Sequence, residues 1–139
     1  MMGYKEKLMT RREAREQAFM VLFEKTFSNE TTIREIIETA EEAELIKINS
    51  FADALLVSVE NNIEAIDKII EENSRGWTIQ RLPKVSLAVL RLAIGEMMYS
   101  EDVPTGVAVN EAVELMKKYG TSDDASYVNG VLGTVAKAL

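Results

Sequence analysis

Three arginines near the start of the chain have the side-chain types and the spacing to bind phosphate. Arg11, Arg12 and Arg15 lie within "TRREAR", just ahead of the apolar run "AFMVLF". Arg11 and Arg15 are four residues apart, so they share one side of a helix. Two further cations, Lys5 and Lys7, precede them. Because guanidinium groups hold phosphate through paired N–H donors, this cluster predicts an anion-binding surface.

The position of these arginines in a helix is unfavourable unless an anion is bound. "TRRE" has the pattern of a capping box, in which Thr10 is the N-cap and Glu13 reaches back to it. A helix is therefore predicted from about residue 11 to about residue 27. The positive end of a helix dipole disfavours each cation in the first turn by roughly 0.3–1 kcal/mol. A phosphate offsets that cost because it accepts hydrogen bonds from the arginines and from the free backbone N–H groups.

The distribution of charge leaves a second interpretation open. The 139-residue chain has a net charge of −7, yet residues 1–15 contain five basic and two acidic residues. Residues 30–72 contain twelve acidic and three basic residues. Salt screens charges beyond roughly 8–10 Å, so a ligand responds to the local cluster rather than to the net charge. Internal ion pairs with the acidic middle of the chain are favoured about as strongly as anion binding.

Hydrophobic periodicity predicts helices along the whole chain. Apolar residues recur at helical spacing in each long segment, and no segment alternates as a half-buried strand does. Residues 50–70 keep this spacing for more than five turns and are expected to form one helix. The fold class predicted from the residues is an all-α bundle of about six or seven helices.

One stretch, "NSRGWTIQRLP" at residues 73–83, interrupts the helical pattern with a glycine and a proline. We expect it to separate two sub-bundles, residues 10–75 and 76–139, that share one core as a single domain. Trp77 is expected to fill the junction between them. Residues 1–9 are expected to form a flexible leader.

Composition limits the classes of function. The chain has no histidine and no cysteine, so it lacks the commonest general base, the commonest metal ligand and any thiolate site. These absences favour a protein that is not an enzyme and needs no cofactor. The lack of cysteine and of a long apolar run indicates the cytoplasm.

Polar residues in the last two helices have plain structural explanations. Ser122 or Asp123 is expected to cap the last helix. Tyr127 precedes apolar residues at helical spacing, which is typical of a core position. Asn110 and Glu111 could look catalytic, but a helix start that is buried against Arg91 is the commoner explanation.

Four motifs together carry a resemblance to a known family. In order, "RREAREQAFMVLF", "VLRLAIGEM", "VPTGVAVNEAVELMKKYG" and "YVNGVLG" resemble the NusB family of transcription antitermination factors. The resemblance extends from about residue 10 to the end of the chain. It implies an all-helical protein with two small bundles that share a core.

The resemblance also implies partners. Members of this family bind boxA, a short single-stranded element of the leader RNA, together with a small-subunit ribosomal protein that acts as NusE. The complex helps RNA polymerase to pass terminators in ribosomal RNA operons.

The resemblance assigns an RNA-binding role to five residues of this chain. The arginine-rich start of the family contacts RNA, and this role falls on Arg11, Arg12 and Arg15. An acid and an aromatic residue on the RNA surface correspond to Asp123 and Tyr127. Single-stranded RNA is recognised by bases that stack on aromatic or guanidinium planes beside cations, which is compatible with this assignment.

The resemblance assigns the protein partner to a different set of residues. An aromatic of the first helix corresponds to Phe23, and polar residues before and at the start of the central helix correspond to Gln80 and Ser86. Two departures matter: Glu13 stands where some relatives carry arginine, and Ser86 stands where an acid is frequent. The first lowers the expected phosphate affinity, and the second puts that partner contact in doubt.

Two other functions remain open. Some ribosomal RNA methyltransferases carry a NusB-like RNA-guiding domain, although this chain has no nucleotide-binding βαβ pattern of its own. The chain is also compatible with a module that binds only protein and pairs its arginines internally.

Overall fold

The computed structural model describes residues 8–139, so the predicted contacts Lys5 and Lys7 lie outside the described residues. Within this range the chain forms seven α-helices and no strand, and the predicted all-α fold is confirmed. None of these helices is both long and apolar enough to cross a lipid bilayer. The helices are α1 (Arg11–Lys25), α2 (Ile33–Glu42), α3 (Ser50–Asn61), α4 (Ile63–Glu72), α5 (Lys84–Tyr99), α6 (Thr105–Tyr119) and α7 (Ser122–Ala138), and a 3-10 turn (Ile79–Arg81) precedes α5.

Helix α5 is the centre of the bundle. Every residue from Ser86 to Met97 is buried, and α1, α3, α4, α6 and α7 all pack against this helix. The approach of α3 requires Gly95, because an added Cβ there would lie 2.6 Å from Cγ2 of Val59. Buried apolar side chains from all seven helices form one cluster. The division into two sub-bundles at residue 75 stays a prediction.

The single helix predicted over residues 50–70 is wrong, because the structure divides it. Helix α3 ends at Asn61 and α4 begins at Ile63, with Asn62 between them at φ −124° and ψ 18°. Nδ2 of Asn62 donates to the backbone carbonyl of Ser58 at 2.8 Å. Asparagine side chains compete with the backbone for such bonds, so the helix ends here although the apolar spacing continues.

The loop before α5 contributes Leu82 to the core, and not Trp77 as expected. Trp77 is 50% exposed, so the prediction that it fills the junction is wrong. Leu82 is buried in the apolar cluster instead, two residues before α5 begins.

Candidate nucleic-acid interface

The first turn of α1 is fixed by its capping box. Oγ1 of Thr10 accepts from the backbone N–H of Glu13 at 3.0 Å, and Oε1 of Glu13 accepts from the backbone N–H of Thr10 at 2.9 Å. The capping box predicted from the sequence is confirmed. It places Arg11 and Arg12 in the first turn of the helix and Arg15 in the second.

Arg15 lies inside the bundle rather than on the predicted RNA surface. The residue is 6% exposed, and its Nε lies 2.9 and 3.0 Å from the two carboxylate oxygens of Glu96 in α5. Its Nη2 donates to Oε2 of Glu96 at 2.7 Å. The expectation that Arg15 contacts phosphate is therefore wrong, because its guanidinium is buried and paired. A buried guanidinium requires a hydrogen-bonded carboxylate, and α5 supplies one.

Arg12 is paired with a carboxylate but remains accessible. Its Nε and Nη2 donate to the two oxygens of Glu111 in α6 at 3.1 and 2.8 Å. The Arg12 side chain is 64% exposed and the Glu111 side chain 11%. The hydrogen bond from Arg12 is the main reason that the pKa of Glu111 lies below its ordinary value, and the same bond raises the pKa of Arg12. Arg91, against which the start of this helix was expected to be buried, donates instead to Asp67 of α4 at 2.8 Å.

The two pairs join into one network. Nη1 of Arg15 lies 3.8 Å from Oε1 of Glu111, so Glu96, Arg15, Glu111 and Arg12 connect α5, α1 and α6. Internal pairing was one of the two interpretations of the sequence, and it holds for Arg12 and Arg15. Their partners come from the second half of the chain and not from the acidic residues 30–72. Residues 8–139 contain no group of three or more acidic side chains arranged to hold a metal ion.

Arg11 has a different environment from the other two arginines. Its guanidinium carbon lies 4.1 Å from the centroid of the Phe51 ring in α3, and the residue is exposed. Among the described residues, no carboxylate forms an ion pair with it. The accessible part of the arginine cluster therefore consists of Arg11 and the outer edge of Arg12.

Two lysines of α6 extend this surface, although the sequence analysis assigned them only to the helix C-terminus. Nζ of Lys118 donates to Oε2 of Glu16 at 2.7 Å, between residues 102 positions apart in the sequence. That hydrogen bond raises the pKa of Lys118. Nζ of Lys117 lies 3.5 Å from Oε2 of Glu114. Together with Arg12, these residues line a cleft of about 330 Å³ between α1 and α6. Because the lining residues of α1 and α6 are far apart in the sequence, residue spacing alone does not predict this cleft.

The predicted RNA-binding residues of α7 lie near its start. Oγ1 of Thr121 accepts from the backbone N–H of Asp124 at 3.0 Å, so Thr121 is the cap and not Ser122 or Asp123. Asp123 is exposed in the first turn. Tyr127 is half-buried against the core. Its hydroxyl is buried and has no hydrogen-bond partner among the described residues.

Helix α6 lies between the arginine cluster and this part of α7. Lys117 lines the cleft beside α1 and also a groove of about 790 Å³ between α6 and α7. Among the described residues, no hydrogen bond, ion pair or ring contact joins Asp123 or Tyr127 to Arg11 or Arg12. The structure therefore brings the arginines together but does not link them directly to the predicted residues of α7.

The residues predicted to contact a protein partner differ in accessibility. The half-buried Phe23 ring stacks on Phe19, with 5.9 Å between centroids, and meets the edge of Phe27 at 5.1 Å. Gln80 is exposed in the 3-10 turn. Ser86 is fully buried, which corrects the expectation that it contacts a partner. Burial of α5 begins at this residue, so its side chain faces the interior.

A comparison with known families identifies the chain. The family model described as the NusB family matches residues 12–137. The chain belongs to the NusB family. The transcription antitermination protein NusB of Bdellovibrio bacteriovorus is 40% identical over 133 residues, which are 95% of this chain and 98% of that protein. NusB of Clostridium novyi is 42% identical over an alignment of 137 positions that covers 94% of this chain and 100% of that protein.

Solved NusB structures have the same fold. NusB of T. maritima is 31% identical and superimposes with a TM-score of 0.81, covering 94% of this chain and 93% of that chain. A chain from a structure of the antitermination factors NusB and NusE in complex with double-stranded RNA is 32% identical, with a TM-score of 0.79. That match covers 93% of this chain and 97% of the other. The NusB-like fold expected from the sequence is confirmed.

The NusB match includes the whole ion-pair network. Arg12, Arg15, Glu96 and Glu111 all fall within residues 12–137, and Arg11 lies one position outside the match. Of the three arginines, only the exposed Arg11 lies outside the residues that the NusB family model matches.

Proposed function

We propose that this protein is a transcription antitermination factor that binds a single-stranded boxA-like RNA together with a ribosomal protein acting as NusE. The complex helps RNA polymerase to pass terminators in ribosomal RNA operons. Membership of the NusB family supports this function, as does the likeness to a NusB chain solved with NusE and RNA. The protein acts by binding and performs no catalysis. Its cytoplasmic location stays a prediction.

The observation that carries the proposal is the exposure of Arg11 and Arg12 in the first turn of α1. Both guanidinium groups reach solvent at the helix end that carries about half a positive charge. A phosphate there accepts hydrogen bonds from the arginines and from backbone N–H groups. Lys5 and Lys7 add contacts to the same strand. Arg15 contributes indirectly, because its ion pair with Glu96 holds the start of α1 against α5.

Residues of α7 contact the bases rather than the phosphates. The exposed carboxylate of Asp123 repels phosphate, so its use in RNA binding is to accept hydrogen bonds from base or sugar donors. Tyr127 offers the exposed part of its ring to a base, while its hydroxyl stays buried. The protein partner contacts Phe23 and Gln80.

One titration tests this function. The affinity for a boxA-like RNA and for a scrambled RNA is measured across salt, with and without the ribosomal partner. We expect preference for the boxA-like RNA, stronger binding with the partner, and a slope of log affinity against log salt between about −2 and −3. That slope corresponds to three or four phosphate contacts at about 0.7 each. A flat salt response or equal affinity for both RNAs contradicts the proposal.

The other two functions make different predictions. The relatives are transcription antitermination proteins that match over nearly their whole lengths, which does not favour a methyltransferase domain. A module that binds only protein predicts that substitution of Arg11 and Arg12 leaves RNA binding unchanged. The pairing of Arg12 with Glu111 gives that alternative some support, and the exposed Arg11 argues against it.

A further inference from the structure

The environment of Arg11 suggests a role beyond charge. Arg12 and Arg15 each commit N–H donors to carboxylates, whereas Arg11 packs on the Phe51 ring at 4.1 Å. Arg15 lies on the same ring from the interior, at 5.3 Å. Phe51 therefore contacts both the buried network and the exposed arginine. The Arg11 guanidinium thus lies over this ring while the residue remains exposed.

The position of Phe51 is set by a chain of hydrogen bonds from α1. The Gln17 amide accepts from the backbone N–H of Asn49 at 2.7 Å and donates to the carbonyl of Lys47 at 3.1 Å. Oδ1 of Asn49 in turn accepts from the backbone N–H of Phe51 at 2.8 Å and caps α3. The start of α3 is thereby tied to α1 at Gln17, two residues beyond Arg15. These hydrogen bonds fix the backbone that carries the Phe51 ring.

A guanidinium supported on one face is a suitable surface for a nucleobase. Bases of single-stranded RNA stack on aromatic rings and on arginine planes. An aromatic ring behind the guanidinium also reduces the freedom that Arg11 must lose on binding. The charge of Arg11 is not neutralised by a carboxylate of the described residues, so it still attracts the phosphate of the same nucleotide.

We propose that Arg11 and Phe51 form a stacking platform for one base of the bound single-stranded RNA, in which Phe51 is a positioning residue. The platform rests on the proposed function and adds a base contact to what is otherwise a phosphate-binding surface. It predicts that the affinity contributed here depends on the planarity of Arg11 and on the ring of Phe51, in addition to charge.

The test combines protein variants with RNAs that lack single bases. A boxA-like RNA is prepared with an abasic site at each position in turn, and affinities are measured for the unaltered protein, Phe51→Leu, Phe51→Tyr and Arg11→Lys. One abasic position is expected to weaken binding to the unaltered protein about fivefold or more. Phe51→Leu and Arg11→Lys weaken binding of the intact RNA by a similar factor, and the abasic position then has little further effect.

Controls separate stacking from charge and from folding. Phe51→Tyr keeps a ring and retains the affinity, while Arg11→Lys keeps the charge and leaves the salt slope unchanged. Phe27→Leu is the matched control, because Phe27 is an exposed aromatic that also lies under a cation, with Lys84 at 5.0 Å. The Phe27→Leu variant is expected to bind RNA with unchanged affinity. Where Phe51→Leu lowers stability, the surface variant Arg11→Lys carries the test.

The outcomes distinguish this inference from the function on which it rests. If the unaltered protein binds boxA-like RNA with the expected salt slope, but Phe51→Leu and Arg11→Lys bind as well as it does, the platform is overturned and the function stands. Equal losses at every abasic position in all four proteins overturn it also. If the unaltered protein does not bind the RNA, both are overturned.

Discussion

Arg15 of α1 and Glu96 of α5 form a buried ion pair with three hydrogen-bond distances between 2.7 and 3.0 Å. This pair lies directly behind the exposed start of α1. It explains how a cluster of cations at a helix N-terminus is compatible with a stable fold. One arginine is neutralised inside, and Arg12 and Arg11 remain at the surface.

Substitution of Arg15 is predicted to destabilise the protein severely. Arg15→Ala leaves the Glu96 carboxylate buried without its main partner, which lowers the free energy of unfolding by about 3–5 kcal/mol. The control Arg34→Ala breaks a surface pair with Asp53 and costs at most about 1 kcal/mol. Urea denaturation measures the free energy of unfolding of both variants. The double variant R15L/E96L is expected to recover much of the loss, because it removes both buried charges. Equal small losses in Arg15→Ala and Arg34→Ala contradict this prediction.

Removal of the Glu111 carboxylate is predicted to strengthen RNA binding. In Glu111→Gln the Arg12 guanidinium no longer shares its donors with an anion, so phosphate binds about two- to fivefold more tightly, equivalent to roughly 0.4–1 kcal/mol. The gain shrinks as salt rises. Glu72→Gln removes an equal charge from the exposed end of α4 and serves as the control. Weaker binding in Glu111→Gln than in the control shows instead that Glu111 orients Arg12.

The same pair is predicted to affect stability at acidic pH. Because Arg12 lowers the pKa of Glu111 in the folded state, the pair stabilises the fold fully above the ordinary carboxyl pKa of 4.5. That contribution is lost as the pH falls through the lower pKa of the folded protein. The free energy of unfolding between pH 7 and pH 3 is therefore expected to fall more steeply in the unaltered protein than in Glu111→Gln. Parallel curves contradict the prediction.

The partner surface is predicted to depend on Gln80 and not on Ser86. The buried hydroxyl of Ser86 has no hydrogen-bond partner among the described residues, so Ser86→Ala raises the free energy of unfolding by about 1 kcal/mol. It leaves the affinity for the ribosomal partner unchanged. Gln80→Ala, at an exposed position, weakens that affinity without loss of stability. Calorimetric titration of the partner separates the two, and a loss of affinity in Ser86→Ala contradicts this assignment.

Local features of the fold were predictable because they depend on residues close in sequence. The capping box of Thr10 and Glu13 joins positions three apart, and helical period follows directly from apolar spacing. The break at Asn62 was missed, because periodicity ignores the hydrogen bonds of polar side chains. The pair "NN" at residues 61–62 is the signal that indicates it.

The candidate site was predictable only in part. The sequence identified the arginine cluster but not which arginine is buried, because Glu96 lies 81 positions after Arg15. The contact of Arg11 with Phe51 likewise joins two helices that no motif relates. Residue type and spacing indicate which groups can bind phosphate, and only the packing of α1 on α5 and α6 decides which of them reach solvent.

The most direct test of the phosphate contact is the salt dependence of RNA binding in the double variant R11A/R12A. The control R34A/K137A removes two exposed cations elsewhere on the protein. With boxA-like RNA, the slope of log affinity against log salt is expected to lie between about −2 and −3 for the unaltered protein and the control. For R11A/R12A it is expected to be shallower by about 1.4. Equal slopes in all three proteins would contradict the claim that the start of α1 binds the RNA backbone.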